Sequence, residues 1–147
     1  MRDFQKLDTH SKTVAEALFR RFPQWEQHAS EHDGVLAVVL QSPAGDRQLE
    51  LNTGDEEVTI FLDPFPWHQH FDSSEIEEAF DKLEALFKEK LLVTVYWERR
   101  RLGWIVGRGH KWVSSTTMLP SEKPDVRHGL LLQIRSFCGT HDQDIQA

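Results

Sequence analysis

The sequence predicts an α+β fold, in which an antiparallel sheet of about five to seven strands carries two helices on one face. Two segments show helical apolar spacing, and at least five short segments alternate in the manner of strands. Turn residues, rather than helices, separate most of those strands, so a doubly wound parallel sheet is not expected. A chain of 147 residues suits a single domain over residues 1–147.

The first helix is predicted from one apolar stripe formed by Val14, Leu18 and Phe22. A capping-box pattern starts at Thr13, which therefore marks the expected beginning of the helix. Pro23 marks its end, because the residue before a proline disfavours the α conformation.

The chain from Val35 to Leu62 predicts three strands of an antiparallel meander. Residues 35–41 are a short apolar run, residues 47–52 place alternate leucines on one face, and residues 58–62 repeat that alternation. Proline, glycine and aspartate in the two connections are typical of turns.

A second helix is predicted over residues 73–90. Its apolar positions follow helical spacing, so Ile76, Phe80, Leu83 and Phe87 are expected to pack against the sheet. Asp72, Ser73 and Ser74 are all suitable N-caps, and an acidic residue follows both Asp72 and Ser74 three positions later, as in a capping box.

The C-terminal part predicts a hairpin, a loop and one more strand. Residues 91–98 and 102–108 alternate like paired strands, with the three intervening arginines in the turn. Residues 114–125 are polar and contain two prolines, which indicates a loop, and residues 130–134 form a strand. The tail after about Thr140 is expected to be flexible.

Charge is distributed unevenly around a formal net charge of −7. Residues 31–81 hold thirteen acidic side chains against one basic side chain, Arg47, whereas residues 82–135 hold eleven basic against five acidic ones. An acidic total argues against nucleic-acid binding, because that binding depends on neutralising phosphates. Separate fields of opposite sign can steer a charged partner, unless the two blocks interleave in space and cancel.

A cytoplasmic protein without membrane segments is the expectation from three further features. The single cysteine, Cys138, cannot form an internal disulfide and suits a reducing compartment. No apolar run reaches the length of a membrane span, and the N-terminus lacks the apolar region of a signal peptide.

The segment from Trp67 to Asp72 contains two histidines and is the candidate groove. If it is extended, His68, His70 and Asp72 project to one side, and two imidazoles with a carboxylate are a known metal-ligand set. His68 and His70 are therefore candidate metal ligands, although a capping role for Asp72 competes with ligation. In the alternative, Trp67 and Phe71 fill the core, and the histidines make local hydrogen bonds.

Nucleophilic catalysis and phosphate binding are not indicated, because the sequence lacks their glycine-rich motifs. Residues 97–112 interleave tryptophans with basic residues, a pattern that suits a protein interface better than a single-stranded nucleic acid platform. Arg101 and Trp104 are the candidate binding anchors of this segment.

The strand at 57–61, the motif Trp67-His68-Gln69-His70-Phe71-Asp72 and the following acidic helix resemble a group of small, largely uncharacterised bacterial proteins. Those proteins carry a Trp-His-x-His-Phe motif, and some resemble immunity proteins of polymorphic toxin systems. The resemblance spans about residues 35–108 and implies binding rather than catalysis.

The sequence therefore predicts a non-enzymatic protein-binding module without a resident cofactor, which acts as an immunity-type antagonist of a toxin partner, for example a basic toxin domain. The alternative is a metal-dependent hydrolase or oxygenase that uses His68 and His70. The candidate partner surface comprises Asp55, Glu56, Glu57, Glu75, Glu78, Glu84, Arg101 and Trp104.

Overall fold

The computed structural model describes residues 4–101 and 108–146. Two α-helices, α1 (Thr9–Arg21) and α2 (Ile76–Phe87), are accompanied by a short 3-10 helix at Pro23–His28 and by a tight turn at Gly54–Glu56. The strands are β1 (Ala29–His32), β2 (Val35–Gln41), β3 (Gln48–Asn52), β4 (Val58–Asp63), β5 (His68–Phe71), β6 (Leu92–Arg101), β7 (Arg108–Met118), β8 (Leu130–Arg135) and β9 (Gln143–Gln146).

The strands form two antiparallel sheets, so the predicted α+β class is confirmed, with two sheets where one was expected. The first sheet has the order β1-β2-β3-β4-β5, and the second has the order β7-β6-β8-β9. The helix α2 separates the two meanders along the chain, and each sheet is therefore built from one continuous stretch of sequence. As a result, the acidic block 31–81 lies in the first sheet and the start of α2, and the basic block 82–135 supplies β6, β7 and β8.

Both helices pack on the same face of the first sheet. The helix α1 contacts β2, and α2 contacts β3, β4 and β5. Leu18 of α1 and Phe80 of α2 are fully buried in the core, together with Leu36, Leu51 and Ile60 from the sheet. One face of β6 closes this core from the second sheet. The opposite face of the first sheet is called the outer face below.

The helix α1 begins earlier than its apolar stripe predicted. Asp8 is the N-cap, and its carboxylate accepts a hydrogen bond of 2.7 Å from the backbone N–H of Ser11. Thr13 lies within the helix, where its hydroxyl donates to the carbonyl of Thr9 at 3.0 Å. The predicted end before Pro23 is confirmed.

The helix α2 lies within the predicted range, and its buried face includes Phe80 and Leu83, as expected. Phe87, however, is 37% exposed and does not pack on the sheet. Its ring instead lies 5.3 Å from the ring of Trp25 and 5.6 Å from that of Phe137.

The hairpin of the second sheet is longer than predicted. The strand β6 continues through the three arginines expected in a turn, and Arg101 pairs with Arg108. The strand β7 extends to Met118, so the first part of the predicted loop at 114–125 is wrong. The predicted strand 102–108 lies outside the described residues, except for its last residue. The segment after Thr140, expected to be flexible, contains β9, which pairs with β8.

An arginine–aspartate pair links the two sheets. The side chain of Arg47 is only 10% exposed. Its guanidinium donates to the carbonyl of Ser136 at 2.6 Å and makes two contacts with the carboxylate of Asp142, one of them at 2.7 Å. Burial opposes ionisation of Asp142, but the hydrogen bonds from Arg47 and from the backbone of Ser136 outweigh it and lower the pKa. The ring of Phe65 lies 5.0 Å from the Arg47 guanidinium carbon. This cluster joins the segment before β3 in the first sheet to the segment between β8 and β9 in the second.

Candidate functional site

The predicted histidine segment forms the edge strand β5, and alternation along it separates two sets of side chains. Trp67, just before the strand, and Phe71 are 5% and 3% exposed. His68 and His70 are exposed on the outer face, as predicted from the period of a strand. Trp67 therefore points away from the histidines. These residues do not form the predicted groove, and His68 and His70 lie on an open face of the sheet.

The side chain of His70 is fixed by two neighbours. Its Nδ1 atom lies 2.9 Å from the hydroxyl of Thr59, the residue paired with it on β4, and 3.1 Å from a carboxylate oxygen of Glu57. The carbonyl of Glu57 lies 3.1 Å from Nε2 of His10 at the start of α1. These contacts tie the beginning of α1 to the end of β5.

The ring of His68 has two other rings as neighbours. It lies 4.9 Å from the ring of His70 and 5.7 Å from that of Phe61, the residue opposite it on β4. Within the described part of the chain, His68 has no side-chain hydrogen bond. One imidazole is thus held firmly and the other is free to accept a ligand.

Asp72 does not join the histidines. Its carboxylate accepts hydrogen bonds from the backbone N–H of Ser74, at 2.8 Å, and from the Ser74 hydroxyl. The hydroxyl contact, followed by the backbone contact, lowers the pKa of Asp72. Among residues 4–101 and 108–146, no group of three or more His, Cys, Asp and Glu side chains is arranged to hold a metal ion.

Asp72 also does not cap α2 directly, contrary to expectation. Glu75 is the N-cap residue of that helix and makes no capping hydrogen bond with its side chain. Instead, the carboxylate of Glu75 reaches back to the backbone N–H of Asp72 at 3.1 Å. The predicted pairing of Asp72 with Glu75 therefore organises the turn before the helix.

Strand pairing brings two acidic segments to the same edge of the first sheet. Val58, at the start of β4, pairs with Phe71, at the end of β5. The turn before β4 consequently lies beside the connection from β5 to α2. We call this region the acidic edge, and it comprises Asp55, Glu56, Glu57, Asp72, Glu75 and Glu78.

The turn at the acidic edge has an unusual backbone. Asp55 and Glu56 adopt positive φ values of 57° and 58°. The N–H of Glu57 donates to the carbonyl of Gly54 at 3.2 Å, which closes a type I′ turn around them. Asparagine and glycine normally occupy these two central positions. Within the described residues, the carboxylates of Asp55 and Glu56 have no hydrogen-bond or ion-pair partner.

The other predicted surface residues are placed elsewhere. Glu84 forms ion pairs within the protein, because its carboxylate lies 3.0 Å from the ammonium of Lys88 and 3.6 Å from the guanidinium of Arg21. Arg101 is the last residue of β6 on the second sheet, and Trp104 lies outside the described residues. Five of the eight candidate partner residues thus belong to the two segments that make up the acidic edge.

Two titratable residues near β5 were not predicted from the sequence. Burial raises the pKa of Glu50, which lies on the outer face between Val39 and Phe61. Lys82 of α2 donates to the side-chain carbonyl of Gln69 at 2.6 Å on the inner side of β5, and burial lowers its pKa. Glu50 alternates with buried residues on β3, which indicated its face of the sheet. Its neighbours on β2 and β4, and the contact of Lys82 with Gln69, become visible only in the folded structure.

Comparison with known proteins identifies no relative: no family model, curated protein or solved structure matches the chain. The resemblance to small bacterial proteins consequently rests on the histidine motif and stays a hypothesis. No helix among the described residues combines the length and the apolar character needed to cross a membrane.

Proposed function

We propose that the chain is a non-enzymatic, cytoplasmic protein-binding module that neutralises a basic toxin domain, with the acidic edge as its binding surface. The observation that carries the proposal is the pairing of Val58 with Phe71. This pairing joins the acidic turn at Gly54–Glu56 to the acidic start of α2. Two segments that are separate in sequence thereby present carboxylates to the same partner.

The distribution of charge over the whole fold supports a cationic partner. The block 31–81 has a formal net charge of −12 and is confined to the first sheet and the start of α2. The compensating basic residues belong mainly to the second sheet. A basic partner that approaches the acidic edge meets a cluster of carboxylates, and complementary charges accelerate association.

Asp55 and Glu56 are the residues best placed to meet that partner. Both are exposed, and neither would have to give up a contact within the described structure in order to pair with a basic side chain. Their left-handed conformations each cost about 1–2 kcal/mol for an ordinary residue. Strained residues of this kind tend to occur at functional sites, which supports a binding role for the two carboxylates.

A metal-dependent enzyme is the alternative function, and the arrangement around β5 favours it less. The expected third ligand, Asp72, is bound to Ser74, so His68 and His70 lack the carboxylate that completes the predicted ligand set. Turnover of a small molecule by the purified chain would favour the enzyme. A stoichiometric protein partner without turnover would favour the binding module.

The proposal is tested by copurification from the native host, followed by a protection assay. Cells that produce the isolated partner should survive when they also produce the chain. The double variant Asp55→Lys/Glu56→Lys should lose this protection. The matched control, Glu122→Lys, reverses an exposed charge between β7 and β8 and should retain it. Equal protection by both variants, or a chain with no partner that turns over a substrate, contradicts the proposal.

A further inference from the structure

We infer that His68 and His70 form a binding site for a divalent transition-metal ion and that Glu57 orients His70 for this role. The inference goes beyond the proposed function, because the site lies on the outer face and requires no partner protein. It does not need the third ligand from Asp72 that the sequence suggested.

The strand backbone places the two rings on one side and close together. His68 and His70 are two residues apart on β5, so their side chains share the outer face. Both are exposed, so a solvated ion can reach the two rings. Pairing of β5 with β4 fixes the backbone beneath them.

The separation of the rings fits a shared ion. A metal ion bound at about 2.1 Å by a nitrogen of each ring lies about 3.2 Å from both ring centres. For ligand angles between about 90° and 110°, the ring centres are then about 4.5–5.2 Å apart. The ring centres of His68 and His70 are 4.9 Å apart, within that window, and the two ring planes are inclined at 77°.

Glu57 sets the tautomer that His70 needs. A carboxylate can only accept a hydrogen bond, so the Glu57 oxygen 3.1 Å from Nδ1 of His70 favours the proton on that atom, and the Thr59 hydroxyl at 2.9 Å can accept from the same N–H. In the neutral ring, Nε2 then carries the lone pair that binds the ion. Carboxylate, histidine and metal in this order are the usual arrangement at protein metal sites, in which the carboxylate orients the ring and raises its basicity.

The donor set selects a class of ion. Imidazole nitrogens suit zinc, nickel and copper, whereas calcium and magnesium prefer oxygen donors. Two protein ligands leave the remaining positions to water, so the site is open and the ion exchangeable. Among the three suitable ions, the general order of affinity predicts that copper(II) binds most tightly.

The test is calorimetric titration of the untagged, metal-free chain with Ni²⁺ and Zn²⁺. One ion per chain should bind, and His68→Ala and His70→Ala should each weaken binding at least about tenfold. Glu57→Gln should weaken it about tenfold while the stoichiometry stays at one, because loss of an orienting carboxylate has effects of this size. The matched control is His32→Ala, which removes an exposed histidine from β1 and should leave binding unchanged.

Circular dichroism of each variant checks that the fold is retained. The inference is overturned if the native chain binds neither ion, or if folded His68→Ala and His70→Ala variants bind as tightly as the native chain. Glu57 belongs to the acidic edge as well, but no partner protein enters this experiment, so its outcome does not depend on whether the acidic edge binds a basic partner.

Discussion

Replacing Glu56 with glycine should stabilise the protein, although it removes a charged residue from the surface. Glu56 has a φ of 58° in the type I′ turn, a conformation that costs an ordinary residue about 1–2 kcal/mol. Glycine adopts it freely but loses about 0.5–1 kcal/mol more in backbone entropy on folding. The free energy of unfolding should therefore rise by about 0.5–1 kcal/mol.

The control is Glu56→Gln, which removes the same charge and keeps the backbone cost. Both variants relieve the repulsion within the acidic edge equally, so the difference between them isolates the backbone term. Urea unfolding provides the measurement. With a slope of about 1.5 kcal/mol per molar, the midpoint of Glu56→Gly should exceed that of Glu56→Gln by about 0.3–0.7 M. Equal midpoints would show that the left-handed turn carries no cost, and the argument for a functional Glu56 would fail with it.

Three further changes test the core, the link between the sheets and a buried hydrogen bond, all by urea unfolding. Phe80→Ala should lower the free energy of unfolding by about 3–5 kcal/mol, because the ring is fully buried, and a loss below about 1 kcal/mol contradicts this packing. Asp142→Asn should lower the free energy of unfolding by about 1.5–3 kcal/mol at pH 7. Because the fold lowers the pKa of Asp142, this difference should be lost as the pH falls from about 4 through that lowered pKa. Thr53→Val should cost about 1–3 kcal/mol, because the buried Thr53 hydroxyl accepts from the N–H of Leu36 at 2.9 Å, and a neutral effect contradicts that role.

Periodicity predicted the parts of the fold that depend on local sequence. The stripe of α2 and the alternation in the first sheet were identified correctly, and so was the exposure of His68 and His70. Side-chain direction in helices and strands depends on residue spacing alone, which makes these features accessible from one sequence.

Features that depend on long-range pairing were not accessible in the same way. The polar segment at 114–118 has loop composition, but pairing with β6 satisfies its backbone and makes it a strand. Arg47 and Asp142 are 95 positions apart, and no local pattern connects them. The contact between Glu57 and His70 likewise follows from the register of β4 and β5, which the sequence does not specify.

Association kinetics test the central claim, that the acidic edge steers a basic partner, most directly. We expect the association rate with the isolated partner to fall about tenfold between about 50 and 300 mM salt, because salt screens exposed charges. Asp55→Lys/Glu56→Lys should associate slowly at low salt and lose most of this dependence, while Glu122→Lys behaves like the native chain. An association rate that is indifferent both to salt and to charge reversal at Asp55 and Glu56 would contradict the account.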